Sequence, residues 1–362
     1  MMISTDTLLN AYIDANVVLA LGAVVWMFAR FVIQRTALKA AHGMQLQLLY
    51  GFLIVVAVVP FAALTLWPQM QSFNLSDLIV AEYLDGRIAI APTTFEAWLQ
   101  TRATLVQEIT TLGSARGMVI AVVLLTGIAL ASLRMIINLT RVYRVIGQSY
   151  LWRRAGRLEI RLTDAASIPF STRSLHKHYV VIPSEMLATP ADLRIALAHE
   201  FQHLRQRDVS WEIVLECLRP LVVFNPAMRF FKRQVERQRE LACDQGVMRR
   251  KALNAQDYAN CLLRVCANAL KRQGHTALPA VALLQPRGRR NASFLRQRVL
   301  MMMAAEAAPT PRWIVPMILC PLSCAILLSA IAIQRSGDWS HDRLMLSTIV
   351  NLERFSIRNT SP

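Results

Sequence analysis

Charged residues, and acidic residues in particular, are scarce in this 362-residue chain. Asp, Glu, Lys and Arg together make up 17% of it, against about a quarter of a typical soluble domain. There are 23 acidic residues and 40 Lys or Arg. Only six cysteines occur and none forms a CxxC pattern, which excludes a small disulfide-stapled scaffold. Hydrophobic residues reach 54%, which excludes a disordered chain. The protein is therefore both apolar and, at a net charge of +17, strongly basic.

Four long apolar windows account for the high hydrophobic content. The length of each window is close to the roughly 20 helical residues that are needed to cross a hydrocarbon core of about 30 Å. Buried helices of soluble proteins seldom run this far without a polar face, so we predict four membrane spans. Asp6 and Asp14 precede the first window, where a cleaved signal peptide would carry basic residues, so this span is predicted to be retained. The windows are residues 15–33, 48–67, 118–137 and 313–333.

The windows divide the chain into spans and connecting segments. Only the segment 138–312 is long enough for a conventional folded domain. We therefore predict a multi-span α-helical membrane protein that carries one folded domain between its third and fourth spans. The predicted segments are 1–47 (first span and its loop), 48–67 (second span), 68–117 (outer loop), 118–137 (third span), 138–312 (folded domain), 313–333 (fourth span) and 334–362 (short tail).

Basic residues concentrate in the long segment and beside the spans. Residues 141–312 hold 29 Lys or Arg and 13 Asp or Glu, whereas residues 69–116 hold five acids and three Arg. By the positive-inside rule, the basic segments face the cytoplasm. We therefore predict a multi-pass protein of the inner (cytoplasmic) membrane, with both termini outside and the folded domain inside the cell.

The positive charge also bears on partners. Attraction to anionic lipid headgroups is the ordinary role of basic residues at the cytoplasmic face. A membrane-tethered nucleic-acid binder is the alternative, but no recognised binding motif occurs and aromatic residues are not interleaved with the basic ones. We predict contact with membrane lipid and no direct nucleic-acid partner.

The cytoplasmic segment alternates strand-like and helical patterns, which predicts an α+β domain. Residues 158–163 and 179–182 have the patterns of strands, separated by a loop rich in Ser, Thr and Pro. Thr189, Pro190 and Asp192 together form the start signal of a helix. Further elements are helices at 210–223, from 227 into the 240s and at 255–271, followed by a Pro/Gly/Arg-rich loop at 285–293.

His199-Glu200-Phe201-Gln202-His203 forms an HExxH motif on the helix that starts near Pro190. The i, i+4 spacing places both imidazoles on one face, one turn apart, where both can bind one zinc ion. Glu200 is adjacent and can accept a proton from water at that metal. Two histidines on the surface of an amphipathic helix are the alternative interpretation. The uncharged residues around the motif favour the metal site.

A catalytic zinc ion needs a third protein ligand. The spacing downstream of the motif excludes the third histidine of a metzincin. Asp208 would lie roughly 180° from His199 around a continuous helix, so we assign it a structural contact. Glu240 and Asp244 stand one turn apart on a later helix as an ExxxD pattern. Glu240 is the predicted third ligand, and Asp244 is predicted to orient a ligating histidine. Glu236, one turn earlier, is the competing ligand.

These motifs and the layout of the spans together resemble a known family. HEFQHLRQRD is followed by FNP at 224–226 and RELACD at 239–244, and IPF at 168–170 and VVIPSEML at 180–187 also fit. The pattern is similar to that of the integral-membrane zinc metallopeptidases of the BlaR/MecR type, the β-lactam sensor-transducers. The resemblance covers most of residues 1–335 in layout.

The resemblance implies a gluzincin-like zinc metallopeptidase fold for the cytoplasmic domain. It also implies zinc bound by His199, His203 and Glu240, with Glu200 as the catalytic base. The chain departs from the sensor members at its end. They carry a large penicillin-binding domain after the last span, whereas only residues 334–362 follow it here.

Two further patterns bear on sensing and on the site. One formal SxxK pattern, Ser174 to Lys177, lies in the cytoplasmic segment without a KTG partner, and we interpret it as a coincidence. If a signal is sensed from outside, the loop 69–116 is the remaining sizeable candidate, with an unknown ligand. Cys243, inside the ExxxD pattern, is interpreted as a buried core residue.

The sequence thus predicts a membrane zinc endopeptidase that acts at the cytoplasmic face. The resemblance implies a regulatory protein substrate such as a transcriptional repressor, or the protein itself at the 285–293 loop, and it leaves a homodimer open. The strand at 179–182 is the predicted edge for an extended substrate. The alternatives are a quality-control or prenyl-protein-processing protease with the same motifs, and a non-catalytic membrane signalling scaffold.

Overall fold

The protein is mostly helical, with one small mixed sheet. The computed structural model describes residues 5–66, 75–250, 253–271, 289–304, 311, 313–333 and 341–360. In these ranges the helices are α1 (Thr5–Gln34), α2 (His42–Leu66), α3 (Leu75–Leu84), α4 (Pro92–Thr111), α5 (Ala115–Gln148), α6 (Pro190–Gln206), α7 (Asp208–Leu218), α8 (Pro226–Met248), α9 (Ala255–Lys271), α10 (Arg289–Met303), α11 (Ile314–Ile333) and α12 (His341–Thr360). The strands are β1 (Tyr150–Ala155), β2 (Leu158–Thr163), β3 (Phe170–Arg173) and β4 (His178–Pro183).

Four helices of the described chain are long and apolar enough to cross a membrane: α1, α2, α5 and α11. Each predicted window overlaps one of these helices, although α1 and α5 extend well beyond their windows. The rest of the protein buries none of the apolar window of α5, where Val119, Val122 and Leu125 are all more than half exposed. Apolar side chains left uncovered along such a length are suited to lipid rather than water. The four helices therefore agree with a multi-span membrane protein.

The chain divides into two compact units. The first comprises Met1–Arg30, Tyr50–Thr126 and Val315–Pro362, and the second comprises Phe31–Leu49 and Gly127–Ile314. The second unit holds the whole sheet together with α6 to α10. It is therefore the unit that contains the HExxH motif.

Helices α3, α4 and α12 pack together in the first unit. The Glu353 carboxylate accepts a hydrogen bond of 2.8 Å from the backbone N–H of Thr93, at the N-terminus of α4 where negative charge is favourable. The segments predicted as an outer loop, 68–117, and a short tail, 334–362, thus contain helices that contact each other. The apolar residues that these helices bury between them are Val80, Phe95, Leu346 and Val350.

Gly117, in the first turn of α5, lies against the end of α4. A Cβ atom at this position would be 2.1 Å from the backbone carbonyl oxygen of Glu108. Because a backbone atom cannot swing aside, we expect Gly117→Ala to destabilise the first unit by about 1–3 kcal/mol. Gly43→Ala is the matched control, since nothing lies within 4 Å of a Cβ atom there. Thermal unfolding compares the two variants, and equal melting temperatures would contradict the close approach.

The sheet of the second unit has the strand order β1-β2-β4-β3. Strands β2 and β4 pair in parallel, and the other two pairs are antiparallel. Contrary to the edge position predicted for 179–182, β4 has a neighbour on each side. Val180, Val181 and Ile182 are fully buried, and such an apolar run is typical of a central strand covered on both faces. The segment predicted as a loop before it contains β3, which has no second neighbour within the described chain.

The residues of the SxxK pattern form the turn between β3 and β4. The Ser174 N–H donates to the Lys177 carbonyl oxygen at 2.8 Å. Lys177 Nζ donates to Glu159 Oε1 at 2.7 Å, and Arg161 Nη1 donates to Glu159 Oε2 at 2.9 Å. The lysine is therefore engaged in an ion pair on the sheet, which agrees with the interpretation of the pattern as a coincidence.

Glu159 makes the stability of the second unit depend on pH. The hydrogen bond from Lys177, with help from Arg161, lowers the pKa of the Glu159 carboxyl below its ordinary value of 4.5, although burial opposes this. A carboxylate with a lowered pKa stabilises the fold above its ordinary pKa and loses that contribution as the pH falls through the lowered value. We expect the wild type to be more stable than Glu159→Gln at neutral pH, by a margin that shrinks below pH 4.5. Unfolding measured across a pH series checks this, and a margin that acid does not change would be inconsistent with it.

Helix α6 begins at Pro190, as predicted, but its first turn is stabilised differently. Thr189 makes no side-chain cap hydrogen bond. Asp192 instead accepts two hydrogen bonds from the Arg264 guanidinium of α9, from Nη2 at 2.5 Å and from Nε at 2.9 Å. The capping box predicted at this helix start is thus replaced by a contact to another helix.

The ends of two other elements also differ from the sequence prediction. Helix α7 ends at Leu218, before the predicted end at 223. Helix α10 begins at Arg289, so the second part of the predicted loop 285–293 is helical. Residues 285–288 lie outside the described residues.

The short connection between α1 and α2, together with the first turn of α2, lies against α8 in the second unit. Gln238 Nε2 donates to Gln45 Oε1 at 3.0 Å, and Gln238 Oε1 is 3.3 Å from His42 Nδ1. Gln245 Nε2 donates to the carbonyl oxygen of Ala40 at 2.9 Å. Gln238 and Gln245 are two turns apart on one face of α8. This connection therefore contacts the helix that carries the ExxxD residues.

Candidate metal centre

The two histidines of the HExxH motif stand one turn apart on α6. Their Nε2 atoms are 3.2 Å apart, and their ring planes meet at 85°. The side chains of His199 and His203 are only 16% and 10% exposed. In a tetrahedral zinc site with bonds of about 2.0–2.1 Å, two ligand atoms are about 3.4 Å apart. The two Nε2 atoms are thus at the separation of ligands to one ion.

Asp208 holds His203 in place. Its Oδ2 atom is 2.8 Å from His203 Nδ1, and the carboxylate is buried. Arg207 adopts the left-handed conformation, with φ +60°, so α6 ends and the chain turns before α7 begins at Asp208. This turn overrides the continuous helix assumed from the sequence and gives Asp208 a contact with the motif. Because a carboxylate only accepts, Nδ1 of His203 carries the hydrogen and Nε2 keeps its lone pair.

Glu240, on α8, lies beside both histidines. Its Oε2 is 3.6 Å from His199 Nε2, and its Oε1 is 3.8 Å from His203 Nε2. The two nitrogens and the carboxylate thus form a triangle of the size that one tetrahedral ion requires. Glu236, the competing ligand, pairs instead with Lys232 at 3.8 Å, and none of its described contacts involves either histidine.

Cys243 is another potential donor to a metal, because its sulfur and one ring nitrogen of each histidine all lie within 4.8 Å of one another. The thiol is fully buried and lies 3.4 Å from Nδ1 of His199. That nitrogen is on the opposite side of the ring from the Nε2 atom that faces His203 and Glu240. The Glu240 carboxylate and the Cys243 thiol are thus both close to the two histidines, the carboxylate on the side of their Nε2 atoms.

Asp244 reaches His199 mainly through an intervening tyrosine. Its Oδ1 is 3.5 Å from His199 Nδ1, which is long for a hydrogen bond. The Tyr258 hydroxyl contacts both groups: it is 2.7 Å from His199 Nδ1 and donates to Asp244 Oδ1 at 2.7 Å. Asp244 therefore contacts His199 chiefly through Tyr258, a residue of α9.

Arg298, on α10, binds both acidic residues of the ExxxD pattern. Its Nε and Nη2 atoms donate to the Asp244 carboxylate at 2.7 and 2.8 Å, and its Nη1 atom is 3.1 Å from Glu240 Oε2. Sequence reasoning missed both Arg298 and Tyr258. Neither belongs to the HExxH or ExxxD spacing, and each comes from a helix that follows those motifs, so no sequence signal marks them.

The charges around the cluster favour a cation. Burial acts to lower the pKa of His199, but Cys243 and Glu240 outweigh it and raise that pKa to about 10. For Glu240, burial acts to raise the pKa, while Arg298 and the two histidines hold it well below its ordinary value. Positive charge is thus stabilised here, and the carboxylate stays ionised. Two imidazole nitrogens and one carboxylate oxygen are a donor set of catalytic zinc sites, so these residues fit that metal.

Glu200 follows His199 on α6 and is 6% exposed. Among the described residues, its carboxylate makes no hydrogen bond and no ion pair. A carboxylate that no other group in the described chain engages, on a residue that is largely buried beside two imidazoles, is typical of a functional site. Glu200 is therefore available for proton transfer next to the two histidines.

A glycine allows α6 and α8 to approach each other beside the cluster. A Cβ atom at Gly246 would be 2.3 Å from Nε2 of Gln202, the fourth residue of the HExxH motif. Gln202 is buried and accepts a hydrogen bond of 2.9 Å from Arg250. The close approach brings the helix of Glu240 next to the helix of the histidines.

Together, the apolar helices and the cluster on α6 and α8 define a membrane protein with a metallopeptidase type of site. Comparison with known families agrees: the sequence profile described as BlaR1 peptidase M56 matches residues 7–302, and the chain belongs to this family. The resemblance predicted from the sequence is thereby confirmed. Members are membrane-associated metallopeptidases involved in signalling. No curated protein sequence matches the chain.

Proposed function

We propose that the protein is a zinc-dependent endopeptidase with a gluzincin-like site. The observation that carries the proposal is the triangle formed by Nε2 of His199, Nε2 of His203 and the Glu240 carboxylate. It lies next to Glu200, which has no hydrogen-bond or ion-pair partner in the part of the chain that the structure describes. HExxH provides two ligands and a base, and an acid from a second helix provides the third ligand.

The protein's own groups account for positioning and proton transfer. When bound, zinc supplies Lewis-acid chemistry, which acidifies water and polarises a carbonyl group. Glu200 accepts the proton of the attacking water and returns it to the leaving amine. Asp208 and Tyr258 hold the Nδ1 atoms of His203 and His199, so both Nε2 atoms face the same point.

The substrate is expected to add to the sheet at β3 rather than at β4. Strand β4 already pairs on both sides, whereas β3 pairs only with β4 within the described chain. Strand β3 also packs against α6 and α7, so it lies close to the motif helix. An extended peptide gains main-chain hydrogen bonds by pairing with such an edge.

The membrane orientation is part of the proposal. The connection between α1 and α2 and the first turn of α2 contact α8, which supports placing this connection on the same side of the membrane as the metal cluster. The excess of basic residues in 141–312 supports a cytoplasmic location for that side, in an inner membrane with both termini outside. The same charge supports contact with anionic lipid headgroups.

The substrate that we propose is a cytoplasmic regulatory protein, such as a transcriptional repressor, or a second copy or part of this chain. Membership of a signalling peptidase family supports a regulatory target. Comparing the proteins that accumulate in cells with the wild type and with Glu200→Gln tests this. A single regulator that accumulates uncut would support the proposal.

The same experiment separates the rival functions. Accumulation of many misfolded membrane proteins would indicate quality control, and accumulation of unprocessed prenylated proteins would indicate prenyl-protein processing. A cellular output that survives Glu200→Ala would instead indicate a non-catalytic scaffold.

A further inference from the structure

We infer that Arg298 is a positioning residue of the metal centre: through Asp244 and Tyr258 it fixes which nitrogen of His199 carries the hydrogen, and the same guanidinium holds Glu240. The inference rests on the proposed zinc site and adds to it a residue outside both motifs. It rests on hydrogen-bond geometry in the second unit, where all of these residues lie.

The guanidinium is placed to act on both acids at once. Arg298 is 2% exposed, and Asp244 is fully buried. Two parallel hydrogen bonds to Asp244 leave Nη1 facing Glu240 Oε2 at 3.1 Å. A planar fork with three separate contacts fixes orientation in a way that a lysine ammonium cannot. Arg298 therefore sets the relative position of the predicted third ligand and of the acid one turn later.

The direction of the hydrogen bonds then follows from counting donors. The Tyr258 hydroxyl has one hydrogen, and it donates this hydrogen to Asp244 Oδ1. Its oxygen is 2.7 Å from His199 Nδ1 and can only accept there, so Nδ1 must carry the ring hydrogen. Metal binding requires the neutral ring, and in that ring the lone pair of His199 is then on Nε2, the atom that faces His203 and Glu240. The relay thus selects the form of His199 that can bind a metal.

Removing Arg298 takes two donors and a fixed orientation away from Asp244. The Asp244 carboxylate is then free to move away from Tyr258, so the tyrosine loses its fixed acceptor and no longer specifies which nitrogen of His199 carries the hydrogen. A nitrogen that carries a hydrogen cannot bind the metal. Loss of Arg298 therefore weakens metal binding in two ways, through the wrong form of His199 and through a less restrained Glu240.

The test measures zinc affinity of the full-length protein in detergent, by competition with a chromogenic chelator. We expect Arg298→Met and Tyr258→Phe each to weaken zinc binding by about 10- to 100-fold. Arg298→Met should weaken zinc binding by a smaller factor when Tyr258→Phe is already present, because the relay is then already broken. Arg298→Lys should recover part of the loss, since an ammonium can donate to Asp244 without spanning both acids.

Arg264→Met is the matched control. It also removes a two-bond contact to a buried aspartate, Asp192, but at the start of α6 and away from the cluster. Zinc affinity per folded chain should stay at the wild-type value in this variant. If circular dichroism shows that Arg298→Met does not fold, the zinc affinities of Tyr258→Phe and Arg298→Lys test the inference instead.

Failure of this inference is distinguishable from failure of the proposed function. A wild type that binds no zinc would overturn the proposed function. A wild type that binds zinc, with folded Arg298 and Tyr258 variants that bind it equally or more tightly, would overturn only the inference. Additive losses with no recovery in Arg298→Lys would also overturn it, because they would indicate a purely structural role.

Discussion

Glu240→Ala is expected to leave the purified protein with little bound zinc, whereas the wild type should carry about one zinc per chain. The variant removes one of three donors that lie 3.2, 3.6 and 3.8 Å from one another. Losing a partner that only orients a ligand already costs about 10- to 100-fold in metal affinity, so losing the ligand itself should cost more. Metal analysis after dialysis against a weak chelator measures the difference.

Glu236→Ala is the matched control for this prediction. Glu236 is one turn earlier on α8, and its charge is paired with Lys232. Removing it should leave the zinc content at the wild-type level. Zinc that is retained in Glu240→Ala and lost in Glu236→Ala would transfer the ligand role to Glu236.

Glu200→Gln is expected to lower peptide-bond cleavage by about 10²- to 10⁴-fold, the usual contribution of a general base. Zinc content should stay unchanged, because Glu200 is not one of the three donors. An amide of nearly the same shape cannot accept the proton of the attacking water. Release of new amino termini from a peptide mixture, measured with the purified protein, reports this loss without knowledge of the natural substrate.

The Glu159→Gln variant makes the same chemical change at another buried glutamate of the second unit. Glu159 is 4% exposed, close to the 6% of Glu200, but its carboxylate binds Lys177 and Arg161 on the sheet. Its cleavage rate at neutral pH should remain near that of the wild type. Equal losses in the two variants would mean that Glu200 acts through stability rather than through proton transfer.

The features that the sequence predicts well are those with a long or regular period. The four apolar windows are found in α1, α2, α5 and α11, because a run of about 20 apolar residues is seldom anything other than a membrane-spanning helix. The motif helix begins at Pro190. The spacing of HExxH and ExxxD is likewise enough to anticipate that Glu240 lies next to both histidines.

What the sequence did not predict depends on turns and on contacts between distant segments. Asp208 reaches His203 only because Arg207 takes a left-handed conformation, and such a conformation in a non-glycine residue has no reliable sequence signal. Tyr258 and Arg298 meet the site from α9 and α10, through the packing of helices rather than through spacing. The sequence does not predict strand β3, because its four residues show little alternation of apolar and polar side chains and resemble a loop.

Zinc K-edge X-ray absorption of the purified full-length protein tests most directly the central claim, that His199, His203 and Glu240 hold the metal. The account predicts only nitrogen and oxygen neighbours, at about 2.0–2.2 Å. A sulfur neighbour at about 2.3 Å would place Cys243 on the metal in place of Glu240 and would contradict the claim.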